Sequence, residues 1–204
     1  MSAHTIAVLV SGGGRSLENL AERIAAGEVP CRIGLVLSDR PGSGALQRAE
    51  RLGLRSLVVD RRACVDDADF SARVFAAIEQ AGCEHVVLAG FLRLLLVPQR
   101  WEGRVLNIHP ALLPAFGGAG YWGERVHAAV LERGAWFTGC TVHYVTNEYD
   151  AGPILLQRCT PVRADDDVAS LAARVFEEEK LALPEALRMH LAGRRGLRER
   201  SGPR

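Results

Sequence analysis

An amide and an imidazole stand two positions apart in one short apolar segment. In VLNIHP, the aliphatic residues predict a buried strand that Pro110 ends, because proline has no N–H for a sheet ladder. Side chains alternate along a strand, so Asn107 and His109 would share one face. Asn supplies a neutral hydrogen-bond donor, and His gains or loses a proton near neutral pH. The pair is a candidate for proton-transfer chemistry, against the alternative of a satisfied polar pair at a strand end.

Strand and helix patterns alternate along the first half of the chain. Apolar runs rich in β-branched residues predict strands at 5–11, 31–38, 54–60 and 85–89. Amphipathic spacing predicts helices at 16–26, 43–52 and around 70–78. This alternation indicates an α/β fold, with a Rossmann-like, mostly parallel sheet and helices on both faces in a single domain. Such sheets bind ligands at the carboxyl ends of their strands, which is where Asn107 and His109 lie.

The second half of the chain has a looser pattern. We predict a helix at 124–132, strands at 138–145 and 154–162, and a last helix that starts at 165–167. This helix runs towards His190 and is expected to bend or break at Pro184. The domain is expected to span 1–192. The basic segment 193–204 is expected to be a frayed tail.

Composition excludes several classes of protein. The 204 residues include 48% hydrophobic and 24% charged residues, typical of a globular chain, and the formal net charge is +1. That charge gives no reason to expect nucleic acid or an anionic membrane as a partner. No long apolar span or signal peptide stands out, so we expect a cytoplasmic protein. The five cysteines are scattered and the six histidines form no metal-binding motif, which favours reduced thiols and no metal.

A glycine-rich loop, SGGGRS, lies between the first predicted strand and helix. Its backbone N–H groups and the helix N-terminus are typical of an anion site, which Arg15 and Ser16 would reinforce. A dinucleotide site is an alternative, with Asp39 as the ribose-binding acid. Leu17 opposes it, because the dinucleotide fingerprint needs Gly or Ala at that position. A single phosphate is the favoured ligand, and a plain glycine turn is the other alternative.

Three later polar residues are ambiguous from the sequence. Asp150, in the connection TNEYDAGP, gains weight only if the fold brings it near His109, where it would raise the histidine pKa and orient the ring. His143 lies within a predicted strand and is expected in the core or in a supporting role. Glu179 returns to the apolar face of the last helix and would need a partner there, which suggests a ligand hydroxyl or amine.

With these motifs in place, the chain resembles the phosphoribosylglycinamide formyltransferase family of folate-dependent enzymes. The likeness runs from the glycine-rich loop to about Pro184, and its most specific segments are LNIHPALLP, AGFLRLL and GCTVHYVTNEYDAGPILLQ. The resemblance implies transfer of a formyl group from 10-formyltetrahydrofolate to the primary amine of glycinamide ribonucleotide, in purine synthesis. It implies small-molecule substrates without metal, nucleic acid or membrane, and either a monomer or a homodimer.

The resemblance also implies roles for individual residues. Asn107, His109 and Asp150 match the catalytic trio, and Glu179 matches the acid near the ribose and amine. The loop that holds the substrate phosphate is matched by Gly13, Gly14, Arg15 and Ser16. The folate pocket is matched by Leu92, Arg93, Leu94, Leu95, Asn107, Thr146, Asn147, Glu148, Tyr149 and Asp150.

Two departures and four alternatives accompany the resemblance. Segment 115–123 replaces a Pro-Gly-x-His pattern with a longer glycine-rich loop, so no residue of it is carried over, and His127 is a possible counterpart of a family histidine. Arg15 stands where relatives have a small hydroxyl residue, a change that suits phosphate. The alternatives are formyltetrahydrofolate deformylase, methionyl-tRNA formyltransferase, a non-catalytic folate- or nucleotide-binding module, and a nicotinamide dehydrogenase.

Overall fold

The computed structural model describes residues 4–194. In that range the strands are β1 (His4–Val10), β2 (Cys31–Ser38), β3 (Ser56–Val58), β4 (His85–Leu88), β5 (Val105–His109), β6 (Phe137–Tyr144) and β7 (Ile154–Pro161). The α-helices are α1 (Arg15–Ala25), α2 (Gly44–Arg51), α3 (Asp67–Gln80), α4 (Glu124–Glu132) and α5 (Val168–Leu191). Short 3-10 turns occur at Arg61–Ala63 and Gln99–Trp101.

The strands form a seven-stranded sheet in the order β3-β2-β1-β4-β5-β6-β7. The pairs β1–β2, β1–β4, β2–β3 and β4–β5 are parallel, and β6–β7 is antiparallel. The predicted α/β class with a mostly parallel sheet is therefore confirmed. The third strand is shorter than the 54–60 that the sequence predicted.

The contacts divide the described residues into two compact units, the first made of residues 4–107 with 145–147. Every residue of β1 from Ile6 to Val10 is fully buried, so both faces of this strand are covered, as parallel strands require. Helix α3 contributes its predicted apolar stripe, with Phe70, Val74 and Ile78 fully buried. These three side chains lie in one core cluster with residues of β1, β2 and β4.

The second unit contains residues 108–144 and 148–194. Its antiparallel pair β6–β7 packs against α5, which buries Leu171, Val175 and Leu187. Helix α5 begins with a capping box in which the Asp167 carboxylate accepts the Ser170 N–H. A bend or a break was expected at Pro184, and the break is wrong, since α5 continues through this buried proline to Leu191. A proline removes one backbone donor, and the apolar contacts of the buried face outweigh that loss here.

Two expectations about the chain's extent stay predictions. The domain span 1–192 is not tested by the fold, and most of the basic segment 193–204 lies outside the described residues. Among the helices within 4–194, none has the length and apolar character needed to cross a membrane.

Candidate active site

His109 and Asp150 come together in the second unit. His109 is the last residue of β5, it is 4% exposed, and its Nδ1 lies 3.4 Å from Oδ2 of Asp150. Asp150 follows β6 and has a left-handed backbone with φ of 54°. The fold therefore brings Asp150 next to His109, as a role for this carboxylate beside the histidine requires.

His143 is a second histidine on the same carboxylate. It lies on β6, is buried, and places Nε2 3.5 Å from Oδ1 of Asp150. Its Nδ1 is 3.0 Å from the Tyr144 carbonyl. The supporting role expected from its place in a strand agrees with this geometry.

Burial dominates the electrostatics of His109. Desolvation lowers the pKa of His109 below its usual value, and His143 acts in the same direction. The Asp150 carboxylate and the hydrogen bond to the Phe116 carbonyl oppose that shift without overcoming it. We expected Asp150 to keep this imidazole protonated; the carboxylate does act in that direction, but the cost of burying the charge is larger.

Asp150 itself is held in its ionised form. Burial alone would raise the pKa of Asp150, but the hydrogen bond from His143, the field of His109 and the Gly118 N–H bring the pKa below its usual value. The Gly118 N–H donates to Oδ2 at 2.9 Å. This carboxylate is therefore a fixed negative charge beside two histidines.

His127 adds a third buried imidazole near His109. It lies on α4 and is 4% exposed, and its Nδ1 has no hydrogen-bond partner within the described residues. Burial, and then the field of His109, lower the pKa of His127 to about 4. It is neutral at physiological pH and cannot carry a positive charge to a substrate there.

Asn107 precedes His109 by two positions on β5. It is half-buried and pairs with Leu88 in the parallel register of β4 and β5. Because side chains alternate along a strand, those of Asn107 and His109 lie on the same face of β5, as the sequence indicated.

The glycine-rich loop turns sharply into α1. Gly14 has φ of 81°, and a Cβ there would lie 2.7 Å from the Ala45 Cα, so only glycine fits this approach of α1 to α2. Arg15 is the first residue of α1 and is exposed at the positive end of the helix. The predicted helix start at Ser16 is thus one residue late.

Two arginines that the sequence reasoning missed support this loop. Arg48 Nε donates to the Gly13 carbonyl at 2.7 Å, and Arg40 Nε donates to the Ser11 carbonyl at 2.8 Å. Both lie far from the loop in sequence, so only the fold reveals them. Arg48 is also ion-paired with Glu18, which offsets its charge, so it is Arg40 that adds positive charge beside the segment for which an anion was predicted.

Asp39 forms an ion pair with Arg93, a residue of the predicted folate pocket. Its Oδ2 accepts a 2.9 Å hydrogen bond from Arg93 Nε, and the residue is 2% exposed. It is not presented to a ribose, which removes the main support for a nicotinamide site. Oδ1 of Asp39 is buried and has no hydrogen-bond partner in the part of the chain that the structure describes.

The other residues of the predicted folate pocket differ in how far their side chains are exposed. Leu92 is 39% exposed and its N–H donates to Ser11 Oγ, whereas Leu95 is buried in the core and Leu94 is half-buried. Asn147 accepts the Val97 N–H at 2.7 Å, which ties the 145–147 segment to this wall. In the 146–150 connection, Thr146, Glu148 and Tyr149 were also assigned to folate, and all three are exposed. Asp150 is half-buried.

Glu179 is half-buried on α5, as its helical position indicated. The two glutamates before it form ion pairs. Glu178 forms a 2.8 Å ion pair with Arg158, and the exposed Glu177 pairs with Lys180. The described residues contain no cluster of three or more His, Cys, Asp or Glu side chains placed to hold a metal.

The comparisons with known proteins place the chain in a family. Residues 4–187 match the formyl transferase family. The chain belongs to the formyl transferase family.

Individual relatives agree with that assignment. A phosphoribosylglycinamide formyltransferase of Haemophilus influenzae is 30% identical over 95% of this chain and 90% of its own length. A trifunctional purine biosynthetic protein adenosine-3 of Gallus gallus is 41% identical over 92% of this chain, which spans 18% of the length of that relative. The crystal structure of glycinamide ribonucleotide transformylase 1 from Symbiobacterium toebii superposes with a TM-score of 0.88 at 38% identity, covering 95% of this chain and 90% of the other.

Proposed function

We propose that the protein transfers the formyl group of 10-formyltetrahydrofolate to the primary amine of glycinamide ribonucleotide. The observation that carries this proposal is the His109–Asp150 pair at 3.4 Å, within the segments that resemble the family most closely. Family membership and relatives named for this reaction support it.

The chemistry assigns separate roles to the three residues. The amine nitrogen attacks the formyl carbon, and negative charge develops on the formyl oxygen of a tetrahedral intermediate. Asn107 and protonated His109 stabilise that oxygen, and loss of one such donor typically costs ~10²–10³-fold in kcat. The bond from carbon to the folate nitrogen then breaks, and the proton lost by the amine ends on that folate nitrogen.

The negative charge of Asp150 lowers the free-energy cost of protonating His109. Burial makes the imidazolium costly in the substrate-free protein, and Asp150 offsets part of that cost. A developing oxyanion is a second negative charge near the ring and favours the proton further. Asp150 also orders the group that carries the proton away from the amine.

Substrate contacts follow from the remaining assignments. The phosphate binds at Gly13, Gly14, Arg15 and Ser16, and Glu179 contacts the ribose or amine. Folate binds along the wall at 92–95 with Asn107 and the connection 146–150. The exposed guanidinium of Arg15 at the start of α1 and the support of the loop by Arg40 and Arg48 are compatible with an anion.

A hydrolase is the second candidate. Formyltetrahydrofolate deformylase would use the same catalytic trio with water in place of the amine. We would incubate the protein with 10-formyltetrahydrofolate, with and without glycinamide ribonucleotide, and follow release of tetrahydrofolate. Release that requires the amine supports the transferase. Release without it indicates the hydrolase, and binding without release indicates a non-catalytic module.

The same proposal covers partners and compartment. The net charge of +1 supports small-molecule substrates rather than nucleic acid or a membrane surface. All five cysteines are free thiols, which suits a reducing cytoplasm. The protein acts as a monomer or a homodimer, which light scattering across a concentration series would decide.

A further inference from the structure

One tight turn, Phe116–Gly117–Gly118, contacts both His109 and Asp150. The Phe116 carbonyl oxygen lies 2.8 Å from Nε2 of His109, and the Gly118 N–H donates to Oδ2 of Asp150 at 2.9 Å. Phe116 has a left-handed backbone with φ of 55°, a conformation that is unfavourable for a bulky residue. Such a conformation persists only where the surroundings hold it in place.

The middle residue of the turn packs tightly enough to fix its position. A Cβ on Gly117 would overlap Cδ2 of Leu113 and lie 3.3 Å from the Asp150 Cβ. Leu113 is itself anchored, because its N–H donates to Thr141 Oγ1 and its carbonyl accepts from Gln157. The turn therefore lies in close contact with Asp150 and is supported from β6 and β7.

The carbonyl contact determines which nitrogen of His109 carries hydrogen. A carbonyl oxygen only accepts, so the 2.8 Å contact requires a proton on Nε2. In a neutral ring Nδ1 then has the lone pair. The 3.4 Å separation of Nδ1 from Asp150 is longer than the ~2.7–2.9 Å of a charge-assisted bond, so the 2.8 Å contact at Nε2 is the stronger claim on the hydrogen of a neutral ring.

We propose that the Phe116 carbonyl fixes neutral His109 as the Nε2–H tautomer, so that Nδ1, beside Asp150, is the nitrogen that gains and loses the proton. The Phe116–Gly118 turn is a positioning element: the carbonyl orients the ring, and the Gly118 N–H orients the carboxylate. The catalytic meaning of this tautomer rests on the proposed function, because Nδ1–H is then the donor offered to the formyl oxygen.

The charged and titratable groups around His109 favour Nδ1 as the nitrogen that takes up the second proton. Asp150 favours a proton on the ring, whereas His143 disfavours it, and the field of His109 in turn lowers the pKa of His127. Asp150 faces Nδ1 rather than Nε2. A proton arriving at Nδ1 therefore forms an ion pair, and one arriving at Nε2 of the other tautomer would not.

The tautomer is measurable in the substrate-free protein by the ¹⁵N and ¹H NMR signals of the imidazole, assigned with His109→Gln. Above the pKa of His109 we expect a protonated Nε2 and a pyridine-like Nδ1. Phe116→Gly keeps a residue that accepts positive φ and keeps the carbonyl, so the tautomer should persist. Phe116→Pro locks φ near −65° and turns the carbonyl away, so both tautomers should appear.

Gly117→Ala also tests the turn, because a Cβ at this position would push the turn away from Asp150 and Leu113. It replaces the proline variant if circular dichroism shows that Phe116→Pro does not fold. Ala119→Ser, at an exposed position of the same loop, is the matched control and should leave the tautomer unchanged. In the displaced variants kcat should fall at least about tenfold, because positioned acid–base groups contribute ~10²–10⁴-fold, with KM values nearly constant.

Two results would overturn the proposal. One is an Nδ1–H tautomer in the wild type. The other is an unchanged Nε2–H tautomer in every folded variant with a displaced turn. A protein that shows the Nε2–H tautomer but transfers no formyl group would contradict the proposed function alone, so the two failures can be told apart.

Discussion

Nε2 of His143 lies 3.5 Å from Oδ1 of Asp150, whereas Nδ1 of His109 lies 3.4 Å from the other oxygen of the same carboxylate. Each ring has its remaining nitrogen near a backbone carbonyl, that of Tyr144 for His143 and that of Phe116 for His109. The carboxylate therefore couples two histidines that are 34 positions apart in the sequence. Replacing His143 should therefore alter proton binding at His109 and Asp150.

Replacing His143 tests that coupling. His143→Phe keeps a ring in the strand but removes the donor, so the pKa of Asp150 should rise, because the His143 hydrogen bond helps to hold it down. The acid limb of the kcat profile should move to higher pH, with little change in either KM. Kinetics from pH 3 upwards would show this shift, because the pKa of Asp150 lies below its usual value in the wild type. A profile identical to wild type would mean that His143 only fills space in β6.

Replacing Asp150 removes the charge that opposes burial. Asp150→Asn keeps the size of the side chain, and the pKa of His109 should fall further below its ordinary value, since Asp150 raises it. We expect kcat near neutral pH to fall about 100-fold or more, with phosphate binding retained. NMR titration of His109 and steady-state kinetics measure the two effects. Asp165→Asn, an exposed carboxylate in another loop, is the control, and an equal His109 pKa in all three proteins would contradict the role of Asp150.

The sequence was sufficient for some features and insufficient for others, for identifiable physical reasons. Asn107, His109 and Asp150 could be singled out because amide, imidazole and carboxylate side chains are able to act on a reacting group, and the strand periodicity predicted the α/β fold. The contact of Asp150 with His109 depends on how β6 returns, and no local pattern encodes that distance. The Phe116 carbonyl was missed because a main-chain group has no signature in side-chain chemistry.

Two further differences have the same kind of cause. Proline was expected to bend or break the last helix, yet α5 is not broken at Pro184, where buried neighbours compensate for one missing hydrogen bond. Asp39 was considered as a ribose ligand, and its pairing with Arg93 depends on the approach of two separate loops. Propensity rules describe single residues, and these outcomes depend on their tertiary partners.

Arg15 is expected to act on binding rather than on chemistry. Phosphate contacts exist in the ground state and the transition state alike, so Arg15→Ala should raise KM for glycinamide ribonucleotide more than it lowers kcat. Initial rates with each substrate varied would separate these effects. Arg32→Ala, an exposed arginine at the start of β2, is the control. A change confined to the KM of the folate would mean that the glycine-rich loop has been assigned to the wrong substrate.

The Arg93–Asp39 pair should respond asymmetrically to mutation. Asp39 is 2% exposed while the Arg93 side chain is 47% exposed, so the guanidinium can return to water but the carboxylate cannot. Arg93→Ala leaves a buried charge without its partner and should lower the free energy of unfolding by about 3 kcal/mol. Asp39→Ala should cost less, and Asp39→Asn combined with Arg93→Ala should recover part of the loss. Urea denaturation at pH 7 measures all three, and equal losses in the two single variants would rule out this asymmetry.

His127 should make the fold sensitive to acid. Its pKa is about 4 when folded and near 6.5 when unfolded, so above pH 6.5 both states carry a neutral ring. As the pH falls from 6.5 towards 4, the unfolded state binds the proton first, and stability is lost by up to ~3 kcal/mol. His127→Gln has no proton to bind, so its unfolding free energy should depend less steeply on pH across that window. Ala128→Gln, at an exposed position of the same helix, adds no titratable group and should keep the wild-type slope. Thermal or urea unfolding at half-unit steps from pH 7 to pH 4 gives the slopes, and parallel curves for wild type and His127→Gln would show that other groups cause the acid sensitivity.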